Sequence, residues 1–253
     1  MSRILQGRII LVTGASSGIG LAALGVFANE GAAVVGIARH SGDAEPEVLR
    51  LQSAGHQVRF IPADITNADD IDRVITRVES ELGPLDGAFN NASITQDAFP
   101  FDELPEAVFD EVIAINVKGT WRCMQRELAV MKSRGRGAIV NTSSIAGLRG
   151  FPGLAAYTAS KHAILGLTRS AALDAAPWGI RVNCLCPGTT RTPMMERQML
   201  TRPNGEQGTL ARIPLNRFAT PAEQAEAAAW LLSDRAGFVT GEELVVDGGG
   251  TIR

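Results

Sequence analysis

The chain has 253 residues, 45% of them apolar, and a formal net charge of −3 from 24 basic and 27 acidic side chains. That is apolar chain enough for one large α/β domain or two small ones, and the interspersed charges leave no basic block to neutralise a nucleic-acid backbone. No apolar run approaches the roughly 20 residues needed to cross a bilayer, and MSRILQGRIILVTG passes into a strand-like run without a cleavable leader, so the expected location is the cytoplasm.

The first candidate strand, RIILVT, runs into Gly14, Gly18 and Gly20, and a segment of helical period follows from Gly18 to Asn29. Glycines in that context allow a tight turn and close approach of the backbone to a pyrophosphate, with the helix N-terminus offering N–H donors to the anion. The spacing is G-x-x-x-G-x-G rather than the general G-x-G-x-x-G. Further strand-like runs are AAVVGIA, QVRFIPA, LDGAFNN, GAIVNTS, IRVNCLC and ELVVDG. Helical periods occupy Ala68 to Leu82, Pro105 to Lys132, Ala155 to Ala176 and Pro221 to Ser233. Strands apolar on both faces, alternating with helices, imply a parallel sheet covered on both sides: a single doubly wound α/β domain.

One connection is long. Thr189 to Thr220 follows the sixth strand and carries Met194, Met195, Met199 and Leu200, which reads as a segment covering a ligand at the carboxyl end of the sheet, the alternative being gap-filling core. Cys184 and Cys186, two apart in a strand, face the same way and read as small buried hydrophobes, as does Cys123; with His40, His56 and His162 scattered, no metal site is expected. The only tyrosine, Tyr157, stands four residues before Lys161 in YTASK, so a phenol and an ammonium share one helix face roughly 5–6 Å apart.

TGASSGIG, NNAS, NTSSIAG, YTASK, CPGTTRTP and VTGEELVVDGG occur in an order and spacing that resemble the compact single-domain branch of the short-chain dehydrogenase/reductase family over essentially the whole chain. The resemblance implies a Rossmann fold and an NAD(P)-dependent oxidoreductase. It assigns Tyr157 as general acid/base, Lys161 as its activator and nicotinamide-ribose contact, Ser144 as partner of the substrate oxygen, and Asn116 as a water-positioning residue. It gives the cofactor Gly14, Ser16, Ser17, Gly18, Ile19 and Gly20 in the turn, Asp64 and Ile65 at the adenine, and Asn91 beside the ribose. Pro187, Gly188, Thr190 and Thr192 fall at the nicotinamide. Ser93 stands where the family usually has glycine. Related enoyl reductases separate Tyr and Lys by six residues; the spacing of four here disfavours reduction of carbon–carbon double bonds.

Elementary electrostatics fits these roles. A free phenol titrates near pH 10, and an ammonium at roughly 5 Å in an effective dielectric near 20 would contribute about 3 kcal/mol, or about two pKa units, toward phenolate. At the end of the second strand the NAD-selecting acid of the family aligns with Ala38, and Arg39 follows; Arg accommodates a 2′-phosphate, so NADP is the expected cofactor, with NAD as the alternative. The expected activity is hydride transfer between NADP(H) and a ketone or secondary alcohol. The alternatives are an NAD-dependent alcohol, sugar or diol dehydrogenase and a nucleotide-binding regulator without turnover. Pocket walls are expected at Ser93 to Thr95, Leu148 to Phe151, Pro187 to Thr189 and Met194 to Met199, with Arg149 the one charge that could meet an acidic substrate. The helix Ala155 to Ala176, small or apolar around most of its circumference, calls for a second copy as cover, and the resemblance extends this to a homotetramer.

Overall fold

The first strand, β1 (Ile9–Thr13), sends its side chains alternately into two cores. Ile10 and Val12 join Leu24, Phe27, Phe89 and Leu231 on one side of the sheet, and Ile9 and Leu11 join Val74, Ile75, Met124 and Ile139 on the other. Burial of both faces is why the strands read as continuous apolar runs. In the computed structural model, which describes residues 3–200 and 205–252, β1 is followed by β2 (Ala33–Ala38), β3 (Val58–Pro62), β4 (Gly87–Asn90), β5 (Gly137–Thr142), β6 (Ile180–Pro187) and β7 (Glu243–Val246). All pair in parallel in the order β3-β2-β1-β4-β5-β6-β7, a single doubly wound domain. The order reverses between β1 and β4, which opens the crevice where such sheets take ligands.

Helices α1 (Gly18–Asn29) and α9 (Pro221–Leu232) pack together on one face; α3 (Ala68–Glu81), α5 (Thr120–Lys132) and α6 (Ala155–Ala175) cover the other. The sequence reading lacks α2 (Ala44–Ser53), whose buried face is only Ala44, Val48 and Leu51 and whose first turn holds Pro46. The single helix expected over Pro105 to Lys132 is instead α4 (Glu106–Val112), a π-helical stretch Ile113–Gly119, and α5. Packing explains the widening: Gly119 lies so close to Ile65 that an added Cβ would stand 2.7 Å from its Cδ1, and Asn116 is buried in the middle of the stretch. The long connection after β6 contains α7 (Pro193–Leu200) and α8 (Gly205–Leu210); the side chain of Leu200 and residues 201–204 lie outside the described residues. Cys184 and Cys186 are buried against Ile164 and Leu165, and Cys123 is buried on the α5 side. Among the described residues no helix is long and apolar enough to cross a membrane.

Candidate active site

At the end of β1, Gly14 takes φ +68° and passes so near the loop after β4 that a Cβ would stand 2.7 Å from Ala92 Cα; at Gly20 a Cβ would meet Gly14 O at 2.3 Å. Only glycine fits either place. Thr13 holds the two loops in register, its Oγ1 accepting from the main-chain N–H groups of Asn91 and Ala92, both at 3.0 Å, while Asn91 Nδ2 donates to Thr13 O at 3.3 Å and Gly14 O at 3.4 Å. Ser17 caps α1 in an extended conformation without a side-chain hydrogen bond, and no acid sits in the first turn. The N–H groups of Gly18, Ile19 and Gly20 are therefore first-turn donors of the kind that can receive an anion. Across the turn Thr192 Cγ2 approaches the Gly18 Cβ position to 3.2 Å, and the Thr192 hydroxyl accepts from Met195 N at 3.2 Å to start α7.

The other expected cofactor residues ring the same crevice. Asp64, after β3, is held by Thr66 N and Oγ1, each donating to its Oδ1 at 2.8 Å, and its own N–H donates to Asp70 Oδ2 at 2.9 Å. Arg39 is exposed at the end of β2 and makes no hydrogen bond or ion pair with a described residue. Pro187 closes β6, and Gly188 donates to Val246 O at 2.9 Å and abuts Asp247. Thr190 Oγ1 donates to Gly188 O at 3.1 Å, and Thr190 pairs with Ala219.

Tyr157 and Lys161 sit in the first turns of α6, with the Lys161 ammonium 5.5 Å from the centre of the Tyr157 ring. The side-by-side placement expected from their spacing holds. Lys161 is buried, and its Nζ donates to Thr142 O at the end of β5 at 2.9 Å. Ser143 Oγ donates to Lys161 O at 2.8 Å, and Ser144, next along, accepts from Ala146 N at 3.1 Å. The end of β5 and the start of α6 are thus stitched together around the phenol.

The charge balance differs from the sequence estimate. Burial pushes the Tyr157 phenol up, only partly offset by a hydrogen bond with Ser144, and burial takes Lys161 down to about 8. Burial opposes the lowering of Tyr157 expected from Lys161, because desolvation disfavours both charged forms and the ammonium is turned to a carbonyl. Asn116 also differs in detail. Its side chain clasps the loop after β4: Nδ2 donates to Ile94 O at 2.9 Å and to Ser160 Oγ at 3.0 Å, and Oδ1 accepts from Ile94 N at 2.8 Å. Both N–H donors of the amide are thus used within the protein, and its oxygen accepts one bond.

One residue without a local sequence signal also adjoins the site. Gln96, buried, accepts from Tyr157 N through Oε1 at 2.9 Å and donates to Gly153 O at 3.3 Å, fixing the first turn of α6 from a loop 61 residues away. Its neighbour Thr95 accepts from Gln198 of α7 at 2.6 Å, which brings the long connection down on the same loop.

Residues 14–251 match the family model described as enoyl-(acyl carrier protein) reductase. The chain is 44% identical to an A-factor type gamma-butyrolactone 1'-reductase (1S-forming) of Streptomyces virginiae, over 98% of this chain and 97% of that protein. The chain belongs to the short-chain dehydrogenase/reductase family. Two further members bracket it: a 2,5-dichloro-2,5-cyclohexadiene-1,4-diol dehydrogenase of Sphingobium indicum, 42% identical over 98% of each chain, and the crystal structure of levodione reductase, 32% identical with a TM-score of 0.92 over 97% of this chain and 98% of that one. This short-chain dehydrogenase/reductase is accordingly an oxidoreductase of CH–OH and C=O groups.

Proposed function

We propose that the protein transfers a hydride between NADP(H) and a small ketone or secondary alcohol, with Tyr157 as the general acid/base. The observation that carries this reading is the packing of Lys161 and Ser144 about the Tyr157 phenol at the carboxyl end of β5. The nicotinamide supplies and accepts the hydride. In reduction the phenol gives its proton to the carbonyl oxygen; in oxidation it takes the hydroxyl proton. Ser144 holds that same oxygen and keeps it facing Tyr157. Lys161 would hold the nicotinamide ribose of a bound cofactor, and the Asn116 main chain would continue the proton path toward water.

The turn fits a dinucleotide. Its backbone is bare of side chains where Gly14, Gly18 and Gly20 approach their neighbours, its helix donors are uncapped, and Asp64, Asn91, Pro187, Gly188, Thr190 and Thr192 line the rest of the crevice. Arg39 favours NADP over NAD, since it is free to pair with a 2′-phosphate and Ala38 presents no acid to repel one. The segment 189–220 covers the substrate through α7. Removing the Tyr157 hydroxyl tests the whole assignment: Tyr157→Phe should lose at least about a hundredfold in turnover while NADPH affinity, read by fluorescence titration, is unchanged. Near-normal turnover in Tyr157→Phe means that another group is the acid.

We further propose a homo-oligomer. Phe109, Trp121 and Leu173 are exposed on the outward side of α4, α5 and α6, where Leu173 is 78% accessible. The face is mixed rather than wholly apolar, since His162 and Arg169 share it, yet large apolar side chains on neighbouring helices form the kind of surface a two-fold partner buries.

A further inference from the structure

The function proposed above leaves the substrate open, and one cavity narrows it. Ile145 lines this cavity directly after Ser144, and Thr189 lines it directly after Gly188, which places it against the substrate end of the site. Arg149, Phe151, Arg212 and Asp247 complete the part that matters for charge.

Both arginines lack a partner. Neither guanidinium makes a hydrogen bond or ion pair with a described residue, whereas Arg8, Arg50, Arg59, Arg73, Arg77, Arg126, Arg134, Arg136, Arg169, Arg191 and Arg217 are all paired with carboxylates. Arg149 rests on the Phe151 ring with its guanidinium carbon 5.1 Å from the centroid, a contact that limits its freedom without neutralising it. Arg212 is presented from an anchored backbone: its N–H donates to Thr209 O at 3.1 Å, and the next residue, Ile213, is buried and donates to Leu210 O at 2.9 Å.

The one acid in the cavity is already engaged. Asp247 Oδ1 accepts from Gly249 N at 2.9 Å, and Oδ2 accepts from Thr251 N and Oγ1, each at 2.7 Å. Its oxygens are taken up by the turn after β7 and pair with neither arginine, so the cavity presents two exposed guanidinium groups from distant parts of the chain against one carboxylate, an excess of one positive charge. A second, wider cavity of about 770 Å³ at the opposite, amino-terminal edge of the sheet gives the contrast. There Arg8 pairs with Asp234, Arg136 with Asp86, and Arg181 donates to Leu231 O and Ser233 O at 2.7 and 3.0 Å. That cavity has basic residues but no cation left over.

We propose that the substrate carries an oxoanion on a short arm from its carbonyl or carbinol carbon, held by Arg149 and Arg212 while Ser144 and Tyr157 take the reacting oxygen. A guanidinium recognises carboxylate, sulfonate and phosphate through the same pair of parallel N–H donors. Part of the binding energy would act on orientation: an anion fixed at one end aims the carbonyl at Tyr157.

The experiment compares matched ketones with NADPH: levulinate, a 2-oxoalkyl sulfonate and a 2-oxoalkyl phosphate against methyl levulinate, which is neutral. The expected result is a kcat/KM at least about tenfold higher for one of the three acids than for the ester, lost in Arg149→Gln/Arg212→Gln through KM, with a smaller change for the ester than for that acid. Which acid leads names the anion. An ester used as well as every acid, or an acid preference untouched by the double substitution, overturns the proposal. If no ketone is reduced at all, the oxidoreductase reading fails separately. Calorimetric titration of the protein with levulinate and the sulfonate then decides the anion site: binding that the double variant loses supports it, and equal or no binding in both proteins overturns it.

Discussion

Glu127 lies fully buried on α5 beneath the sheet, and burial, only partly offset by the hydrogen bond that Asn90 donates, raises its carboxyl to about 8. Asn90 Nδ2 reaches Glu127 Oε2 at 2.9 Å and Asn141 Oδ1 at 3.1 Å, and Asn141 passes a hydrogen bond to Thr168 Oγ1 at 2.9 Å, so the carboxyl ends a polar chain that crosses β4 and β5 to α6. Between the unfolded value near 4.5 and about 8, the unfolded chain releases a proton that the folded chain keeps. The folded state then binds more protons, and its stability falls as pH rises through that window. At about 1.4 kcal/mol per pKa unit the full shift corresponds to a ceiling near 5 kcal/mol, of which about 3 is reached by pH 7. Glu127→Gln removes the titration and keeps the shape. Its amide leaves one group unpaired, as Glu127 Oε1 is now, but that cost does not vary with pH. Urea unfolding of both proteins at pH 5, 6, 7 and 8 should show wild type losing about 2–3 kcal/mol relative to the variant between pH 5 and 7, with other titrating groups cancelling in the difference. Parallel stability curves would falsify the argument, for they require Glu127 to ionise in the folded state as it does in water.

Cofactor choice follows from Arg39: NADPH should bind at least about tenfold more tightly than NADH, and Ala38→Asp should reverse the order, whereas equal dissociation constants in wild type would remove Arg39 from the site. Gln96→Ala should lower kcat and shift its pH profile with little change in NADPH affinity, because the first turn of α6 loses the side-chain acceptor on Tyr157 N; Gln96→Glu, which keeps the acceptor, should restore much of the rate. A purely structural role would leave the pH profile in place. Light scattering should report an oligomer at micromolar concentration, and Leu173→Asp should shift it toward monomer; a stable wild-type monomer excludes the interface on α5 and α6.

Much of this was legible in the chain because the decisive signals are local. Runs such as IILVT and AVVGIA are nearly all apolar since both faces of the strand are covered, and the glycines of the turn and the four-residue spacing of Tyr157 and Lys161 each lie within a few consecutive residues. What escaped is long-range or masked. The weak period of α2 is broken by Pro46, and the π stretch around Asn116 spans only Ile113–Gly119, too short to stand out from the helical pattern of 105–132. Glu127 in RCMQREL reads as an outward acid until the sheet closes over it. Gln96 acquires its role only when β4 delivers its loop to α6, and Arg149 and Arg212 meet only in the folded cavity.

The same distinction governs the catalytic pair. Sequence spacing alone sets two titratable groups side by side and leaves their charge to Coulomb's law, which favours phenolate beside ammonium. Folding adds a desolvation cost that each group bears alone, and here it prevails: Tyr157 is driven up, Lys161 down to about 8, and Thr142 O takes the hydrogen bond that could have gone to the phenol. A polypeptide that biases both members toward their neutral forms holds Tyr157 as an acid with its proton in place, the form that ketone reduction consumes. To act as a base the same phenol needs charge brought in from outside the chain, and the positive ring of an oxidised nicotinamide has the right sign. Under the proposed function the polypeptide would set the resting protonation state, and the charge on a bound cofactor would bias the direction in which the proton moves.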